Sequence, residues 1–213
     1  MTGVQTCALP IWLKIIGEDY LLKAFEFAHE ADPKAELYYN DYSVENPAKR
    51  NGAVELIKKL KASGATVTAI GLQGHDKMEW PTVEQQDATI LAFKELGIKV
   101  NITELDVDVL PAASRQQTAD VGLSVEAQAK LNPYSAGLPD AVQQALARRY
   151  GDLFAVFTKY RGTVSRITFW GVTDGDSWLN NWPVQGRTSY PLLFDRQGQP
   201  KAAFQAVIRT AQK

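Results

Sequence analysis

The stretch 98-IKVNITELDVD-108 carries the signals that decide the fold. Its first six residues alternate between β-branched apolar and polar side chains, and this pattern predicts a buried strand. Gly97 stands where a glycine often ends a helix, and a helix that leads directly into such a strand is typical of parallel βαβ units. Glu104 and Asp106 follow two positions apart, so the period of a strand places both carboxylates on one side.

Strands and helices alternate along the rest of the chain. Three further strands are predicted, with centres near Leu37, Thr68 and Phe169. Helices are predicted over residues 17–31, 51–63, 82–97, 139–161 and 201–211, with a short one near 125–131 inside a polar excursion over 109–138. This order of elements indicates a parallel sheet with right-handed crossover connections.

Two architectures contain such a sheet, the (β/α)8 TIM barrel and the open doubly wound sheet. Neither GxGxxG nor GxxxxGK[ST] follows any predicted strand, which disfavours the nucleotide-binding form of the doubly wound sheet. A barrel has eight strand–helix units in about 250 residues, whereas only four units are predicted here. The sequence therefore predicts an α/β fold that is half of a TIM barrel.

The composition narrows the possible partners. The chain has 213 residues and a formal net charge of −1, which argues against nucleic acid or a polybasic membrane contact. No apolar run is long enough to span a bilayer. Cys7 is the single cysteine, the two histidines are far apart, and HExxH is absent. We therefore expect no disulfide framework, no metal site and no cofactor.

The first ten residues, MTGVQTCALP, differ in character from the rest of the chain. They show neither a capping box nor a helical period. They also lack the basic start and long apolar centre of a secretory signal. We expect residues 1–10 to be a non-native leader and the fold to begin at residue 11.

Polar and aromatic side chains follow every predicted strand. Because the carboxyl ends of barrel strands meet at one mouth, we expect these groups to converge there. They are Asn40, Asp41, Tyr42, Gln73, His75, Glu104, Asp106, Trp170, Asp174, Asp176, Trp178, Asn181 and Trp182. Amides, an imidazole and carboxylates can bond sugar hydroxyls, and indoles can cover the apolar faces of pyranose rings. The pattern predicts a carbohydrate site.

Four motifs make this prediction specific. They are LYYNDY (37–42), GLQGH (71–75), ITELDV (102–107) and TFWGVTDGDSW (168–178). In this order and spacing, residues 11–213 resemble the C-terminal half of the catalytic domain of glycoside hydrolase family 10, the (β/α)8 endo-1,4-β-xylanases. The resemblance implies a retaining enzyme that hydrolyses β-1,4-xylosidic bonds in xylan or xylo-oligosaccharides without a cofactor. It also implies a monomeric parent protein, and the polymeric substrate implies secretion (extracellular or periplasmic), with the signal peptide outside this sequence.

The resemblance also assigns roles to individual residues. Glu104 matches the nucleophile, His75 the histidine that hydrogen-bonds it, and Asp106 the carboxylate paired with that histidine. A nucleophilic carboxylate must stay ionised, so it needs hydrogen-bond donors around it. The substrate-binding residues implied by the resemblance are Asn40, Tyr42, Gln73, Trp170 and Trp178.

One part of the family pattern has no match in this chain. Retaining glycosidases use two carboxyl groups about 5–5.5 Å apart, and in this family the acid/base is the Glu of an Asn-Glu pair on the fourth strand. No Asn-Glu pair precedes Asn40, so we expect a fragment that lacks the acid/base strand and is inactive alone. The alternatives are a β-1,4-glucanase of the same clan and a non-catalytic carbohydrate-binding remnant.

Overall fold

A parallel β-sheet forms the centre of the computed structural model, which describes residues 11–111, 129–182 and 185–212. The strands are β1 (Tyr38–Asp41), β2 (Ala69–Leu72), β3 (His75–Lys77), β4 (Lys99–Asp108) and β5 (Val164–Phe169). All pairings between them are parallel. Strand β1 pairs with β2, and β2 pairs with the first part of β4. Strand β3 pairs with the last part of β4, and β5 pairs with β4 along its other edge. The sheet thus has the four predicted strand positions, and the short strand β3, which was not predicted, continues the line of β2.

Helices follow the strands as the sequence predicts. They are α1 (Tyr20–Ala31), α2 (Pro47–Ala62), α3 (Val83–Glu95), α4 (Asp140–Lys159) and α5 (Ala202–Ala211), with residues 11–16 and 129–131 also helical. Thr82 and Gln85 stand three residues apart, a spacing that predicts a capping box, and the structure confirms it, since each side chain bonds the other's backbone N–H. No helix in the described ranges combines the length and apolar character needed to cross a bilayer.

The start of α2 differs from the prediction. The apolar period predicts a helix from residue 51, but the helix begins four residues earlier, at Pro47. Asn46 caps it by accepting hydrogen bonds from the N–H groups of Ala48 and Lys49. Proline is well suited to the first helical position, because its missing N–H would have no partner there. The cap therefore adds a turn that carries few apolar residues.

The core lies between the sheet and the helices. Strand β2 is buried along its whole length, and β4 is buried at all but two of its ten positions. Helix α4 buries Leu146, Leu153 and Phe157, and full burial of one such side chain contributes about 1.5–3 kcal/mol. This packing holds the carboxyl ends of the strands in fixed positions.

The two outer strands of the sheet and the first helical segment expose surfaces that the core does not cover. Within the described residues, β1 and β5 each pair with one neighbour, and three β5 side chains are exposed: Ser165, Arg166 and Thr168. Five apolar side chains of the first helical segment are also exposed: Ile11, Trp12, Leu13, Ile15 and Ile16. Unpaired strand edges and apolar patches mark surfaces that pack against other structure.

A β-bulge interrupts the pairing of β4 with β5. Ile102 pairs with Ile167 and Leu105 pairs with Phe169, so two residues of β4 stand opposite one residue of β5. Consecutive residues of a regular strand face opposite sides of the sheet. Here Thr103 and Glu104 both contact Asn40 on β1. The bulge therefore brings Glu104 to the same side as Thr103, which simple alternation would not do.

Arg187 joins two distant parts of the chain. Its buried guanidinium donates from Nε to the carbonyl of Leu131 at 3.1 Å and from Nη2 to the carbonyl of Pro111 at 2.9 Å. The N–H of Thr188 donates to the side chain of Asn132 beside it. Pro111 and Leu131 are thus held at one point. Of the short helix predicted near 125–131, only the last three residues fall in the described ranges, and these are helical.

Candidate active site

Glu104, His75 and Asp106 meet at the carboxyl end of the sheet. His75 Nε2 lies 3.2 Å from Glu104 Oε2, and His75 Nδ1 lies 3.0 Å from Asp106 Oδ1. Both carboxylates are buried, and the register of β3 places His75 directly opposite Asp106. The structure thus brings His75 into contact with both carboxylates.

The charge state of His75 follows from these contacts. Both ring nitrogens face carboxylate oxygens, and only the protonated imidazolium can donate from both. Burial lowers the pKa of His75, but its hydrogen bonds and charge interactions with Asp106 and Glu104 outweigh burial and leave the pKa above its ordinary value. The site therefore favours an imidazolium between two carboxylates.

Two tryptophans border His75. Trp178 donates from Nε1 to Asp106 Oδ2 at 2.7 Å, and its ring centroid lies 5.0 Å from that of His75. Trp170 meets the imidazole edge-on at 6.2 Å, and its backbone N–H bonds Leu105 on β4. Both indoles are partly buried. Asp106 thus orients Trp178 as well as His75, a role that the motif alone does not reveal.

Asn40 connects β1 to the second oxygen of Glu104. Its Nδ2 donates to Glu104 Oε1 at 3.4 Å, and its Oδ1 accepts from the hydroxyl of Thr103 at 2.7 Å. The threonine hydroxyl fixes the orientation of the amide, so the NH2 group faces Glu104. Thr103 was not among the predicted site residues. Thr103 directly precedes Glu104 in the sequence. That position would identify Thr103 as a site residue only if the bulge were already known.

Gly71 leaves the space that Asn40 occupies. It pairs with Asn40 across β1 and β2, and a Cβ at this position would overlap with Asn40 Oδ1. Gly71→Ala should displace Asn40 and lower the free energy of unfolding by about 1–3 kcal/mol, the usual cost of overpacking. Urea unfolding of the chain measures the change.

Gly52→Ala is the matched control for this substitution. Gly52 lies within α2, is exposed and has open space around it, so alanine there should leave the stability unchanged or raise it by up to about 1 kcal/mol. An equal midpoint for Gly71→Ala and the parent chain would show that Asn40 does not need this space.

The other two predicted sugar-binding residues occupy different surroundings. Gln73 is buried, and its carbonyl accepts from the N–H of Glu104 at 2.8 Å. Gly74 follows it with φ of 76°, a conformation that glycine adopts without strain. Tyr42 is 45% exposed, and the ammonium of Lys49 lies 3.6 Å from its ring centroid. Gln73 thus belongs to the inner wall and Tyr42 to the outer surface.

Three carboxylates that the sequence places at strand ends bond partners other than His75. Asp174 is fully buried and binds the ammonium of Lys201 at 2.8 Å. Asp41 accepts from Lys49 and from the hydroxyl of Tyr39. Asp176 is exposed and accepts from Thr173. These carboxylates are thus bonded to ammonium or hydroxyl groups outside the cluster of Glu104, His75 and Asp106.

Both oxygens of Glu104 face nitrogen groups, one on the Asn40 amide and one on the His75 ring. Among the residues that the structure describes, no three His, Cys, Asp or Glu side chains are placed to hold a metal ion. A buried carboxylate with donors on both oxygens can act as a nucleophile or stabilise a developing positive charge.

The chain is similar to known xylanases over most of its length. The chain is 45% identical to endo-1,4-beta-xylanase A of Xylanibacter ruminicola over 93% of its own length and 54% of that protein. It is 39% identical to a beta-1,4-xylanase of Dictyoglomus thermophilum over 93% of this chain and 52% of that one. The chain therefore spans about half the length of these relatives.

A solved structure shows the same fold. The GH10 endoxylanase retrieved from sugarcane soil metagenome superposes with a TM-score of 0.84 at 41% identity, covering 93% of this chain and 56% of that one. The family model of glycosyl hydrolase family 10 matches residues 4–210. The fold class is thus the (β/α)8 barrel, of which the four strand positions described here form part, and the chain belongs to glycosyl hydrolase family 10.

Proposed function

We propose that this chain provides the nucleophile side of the active site of a retaining endo-1,4-β-xylanase, with Glu104 as the nucleophile. The observation that carries the proposal is the environment of Glu104. Its two oxygens face the amide of Asn40 and the imidazole of His75. The xylanase names of the relatives support xylan as the substrate class.

The chemistry proceeds in two steps. Glu104 attacks the anomeric carbon of the sugar while a second carboxyl group protonates the departing glycosidic oxygen, and a covalent glycosyl–enzyme forms. The same carboxyl group then removes a proton from water, which attacks the anomeric carbon and releases Glu104. Within this chain, His75 holds Glu104 in place, stabilises its carboxylate before the first attack, and stabilises the carboxylate again as water releases it in the second step.

The side chains around Glu104 bind and orient the sugar. The indoles of Trp170 and Trp178 offer flat faces to a pyranose ring. The amide of Asn40, which contacts Glu104, and Gln73, whose backbone carbonyl accepts from the Glu104 N–H, bond sugar hydroxyls next to the nucleophile. Tyr42 extends this surface outward. Because xylan is a polymer that does not enter cells, the parent protein acts outside the cytoplasm.

A grafted enzyme tests the substrate class. Residues 11–213 replace the matching half of the Xylanibacter ruminicola xylanase, and the graft is assayed on xylan and on carboxymethylcellulose, with the unaltered relative as the positive control. We expect xylo-oligosaccharides from xylan and much slower release from cellulose. Faster cleavage of cellulose would favour a β-1,4-glucanase, and a folded graft that binds but cleaves neither polymer would favour a carbohydrate-binding remnant.

A further inference from the structure

A buried arginine on α4 contacts the strand that carries His75. Arg149 is only 7% exposed, and arginine is almost never buried unless its charge and its N–H groups have partners. Its neighbour Arg148 faces solvent. The contrast between adjacent residues of one helix indicates that Arg149 meets specific partners inside the fold.

Among the described residues, the groups that Arg149 bonds or closely approaches lie in β3 and the loop that follows it. The Nε of Arg149 donates to the carbonyl of Lys77 at 3.1 Å, and Nη2 donates to the carbonyl of Pro81 at 2.7 Å. Nη2 also lies 3.8 Å from the buried carboxylate of Asp76. The N–H of Lys77 bonds the carbonyl of Trp80, which closes the loop between these contacts. One guanidinium therefore clamps both ends of the loop.

Strand β3 needs such support. It has three residues, which is the lower limit for strands in globular proteins. The left-handed backbone of Gly74 separates it from β2. Its pairing with β4 sets His75 against Asp106, Asp76 against Val107 and Lys77 against Asp108. A shift of β3 along β4 would therefore move the imidazole away from Glu104.

We propose that Arg149 is a positioning residue for His75. It fixes β3 through two carbonyls and one carboxylate, and so sets the distance between His75 Nε2 and Glu104. The inference rests on the proposed function only in taking Glu104 as the nucleophile. The placement of His75 is a property of the chain itself and can be measured without any sugar.

The chain has two histidines, so ¹⁵N imidazole NMR of the full 213-residue protein resolves His75 with His29 as an internal reference. Arg149→Met should shift the His75 ring signals and speed solvent exchange of its ring N–H protons at least about tenfold, because local opening becomes easier. His29 lies on α1 and should not change. Arg148→Met removes the same charge from the exposed neighbour and should leave both histidines unchanged.

Arg149→Lys provides the second variant if the methionine protein does not fold. Lysine keeps the charge near Asp76 but lacks the planar fork that reaches two carbonyls at once, so it should move the His75 signals in the same direction. Unchanged His75 signals in a folded Arg149→Lys or Arg149→Met protein would overturn the inference. If Arg149→Met displaces the His75 signals in the 213-residue chain but the graft without any substitution is inactive, the inference stands. That result would count against the proposed function alone.

Discussion

Glu104→Gln in the grafted enzyme is expected to lower kcat on xylan by about 10⁴-fold or more, a loss typical of removing a residue that acts as part of a catalytic unit. Glutamine keeps the shape of the side chain but its amide is not a nucleophile. Circular dichroism should be unchanged. The measurement is initial rates of reducing-sugar release from xylan at saturating substrate.

Two controls make this result specific to the nucleophile. Glu55→Gln removes a carboxylate from an exposed position on α2 and should leave kcat unchanged. Glu104→Ala leaves room for a small anion, so added azide should react with an activated aryl xylobioside and give a glycosyl azide of inverted configuration. If Glu104→Gln retains a tenth of the parent activity, or azide yields only retained product, Glu104 is not the nucleophile.

Lys201→Met should lower the free energy of unfolding of the chain by about 3–5 kcal/mol, the usual effect of removing one partner of a buried ion pair. The ammonium of Lys201 contacts both oxygens of Asp174, at 3.1 and 2.8 Å, and the carbonyls of Tyr190 and Leu192. Burial lowers the pKa of Lys201 and raises that of Asp174. Burial disfavours the charged form of each group, and the opposite charge of its partner favours that form.

Urea unfolding tests this expectation with two further variants. Lys58→Met breaks an exposed pair with Glu55, and such pairs contribute at most about 1 kcal/mol. Lys201→Met leaves the buried Asp174 carboxylate without its cationic partner. Adding Asp174→Asn removes that charge, so the double variant should be more stable than Lys201→Met alone. A Lys201→Met protein that unfolds at the parent midpoint would show that Asp174 tolerates the loss of its partner.

The sheet could be predicted because its signals are local. The alternation before Glu104 and the capping box at Thr82 each depend on residues near one another in sequence, and both are confirmed. The start of α2 at Pro47 was missed because the cap, not apolar periodicity, sets it. Strand β3 was missed because its residues, His-Asp-Lys, carry no apolar pattern.

The sequence shows which types of residue follow the strands. It does not show which other residues those side chains bond. Asp174 follows a strand in the same way as a site residue, yet Lys201, 27 positions later, holds it in the core. No spacing rule joins the two. The bulge at Thr103–Glu104 is likewise set by the pairing of β4 with β5, so it could not be predicted from the strand alone. Arg149 lies outside every motif, and only its burial identifies it.

The contacts of Arg187 bear on how this chain tolerates changes in its length. Pro111 and Leu131 are fixed by one guanidinium, so the connection between them starts and ends at set points whatever its length. The entropy of closing a flexible connection grows only slowly, by about 0.6 kcal/mol for each doubling of its length. Because this guanidinium fixes both anchors, a change in the number of residues between them need not displace Pro111 or Leu131, and Glu104 keeps its geometry.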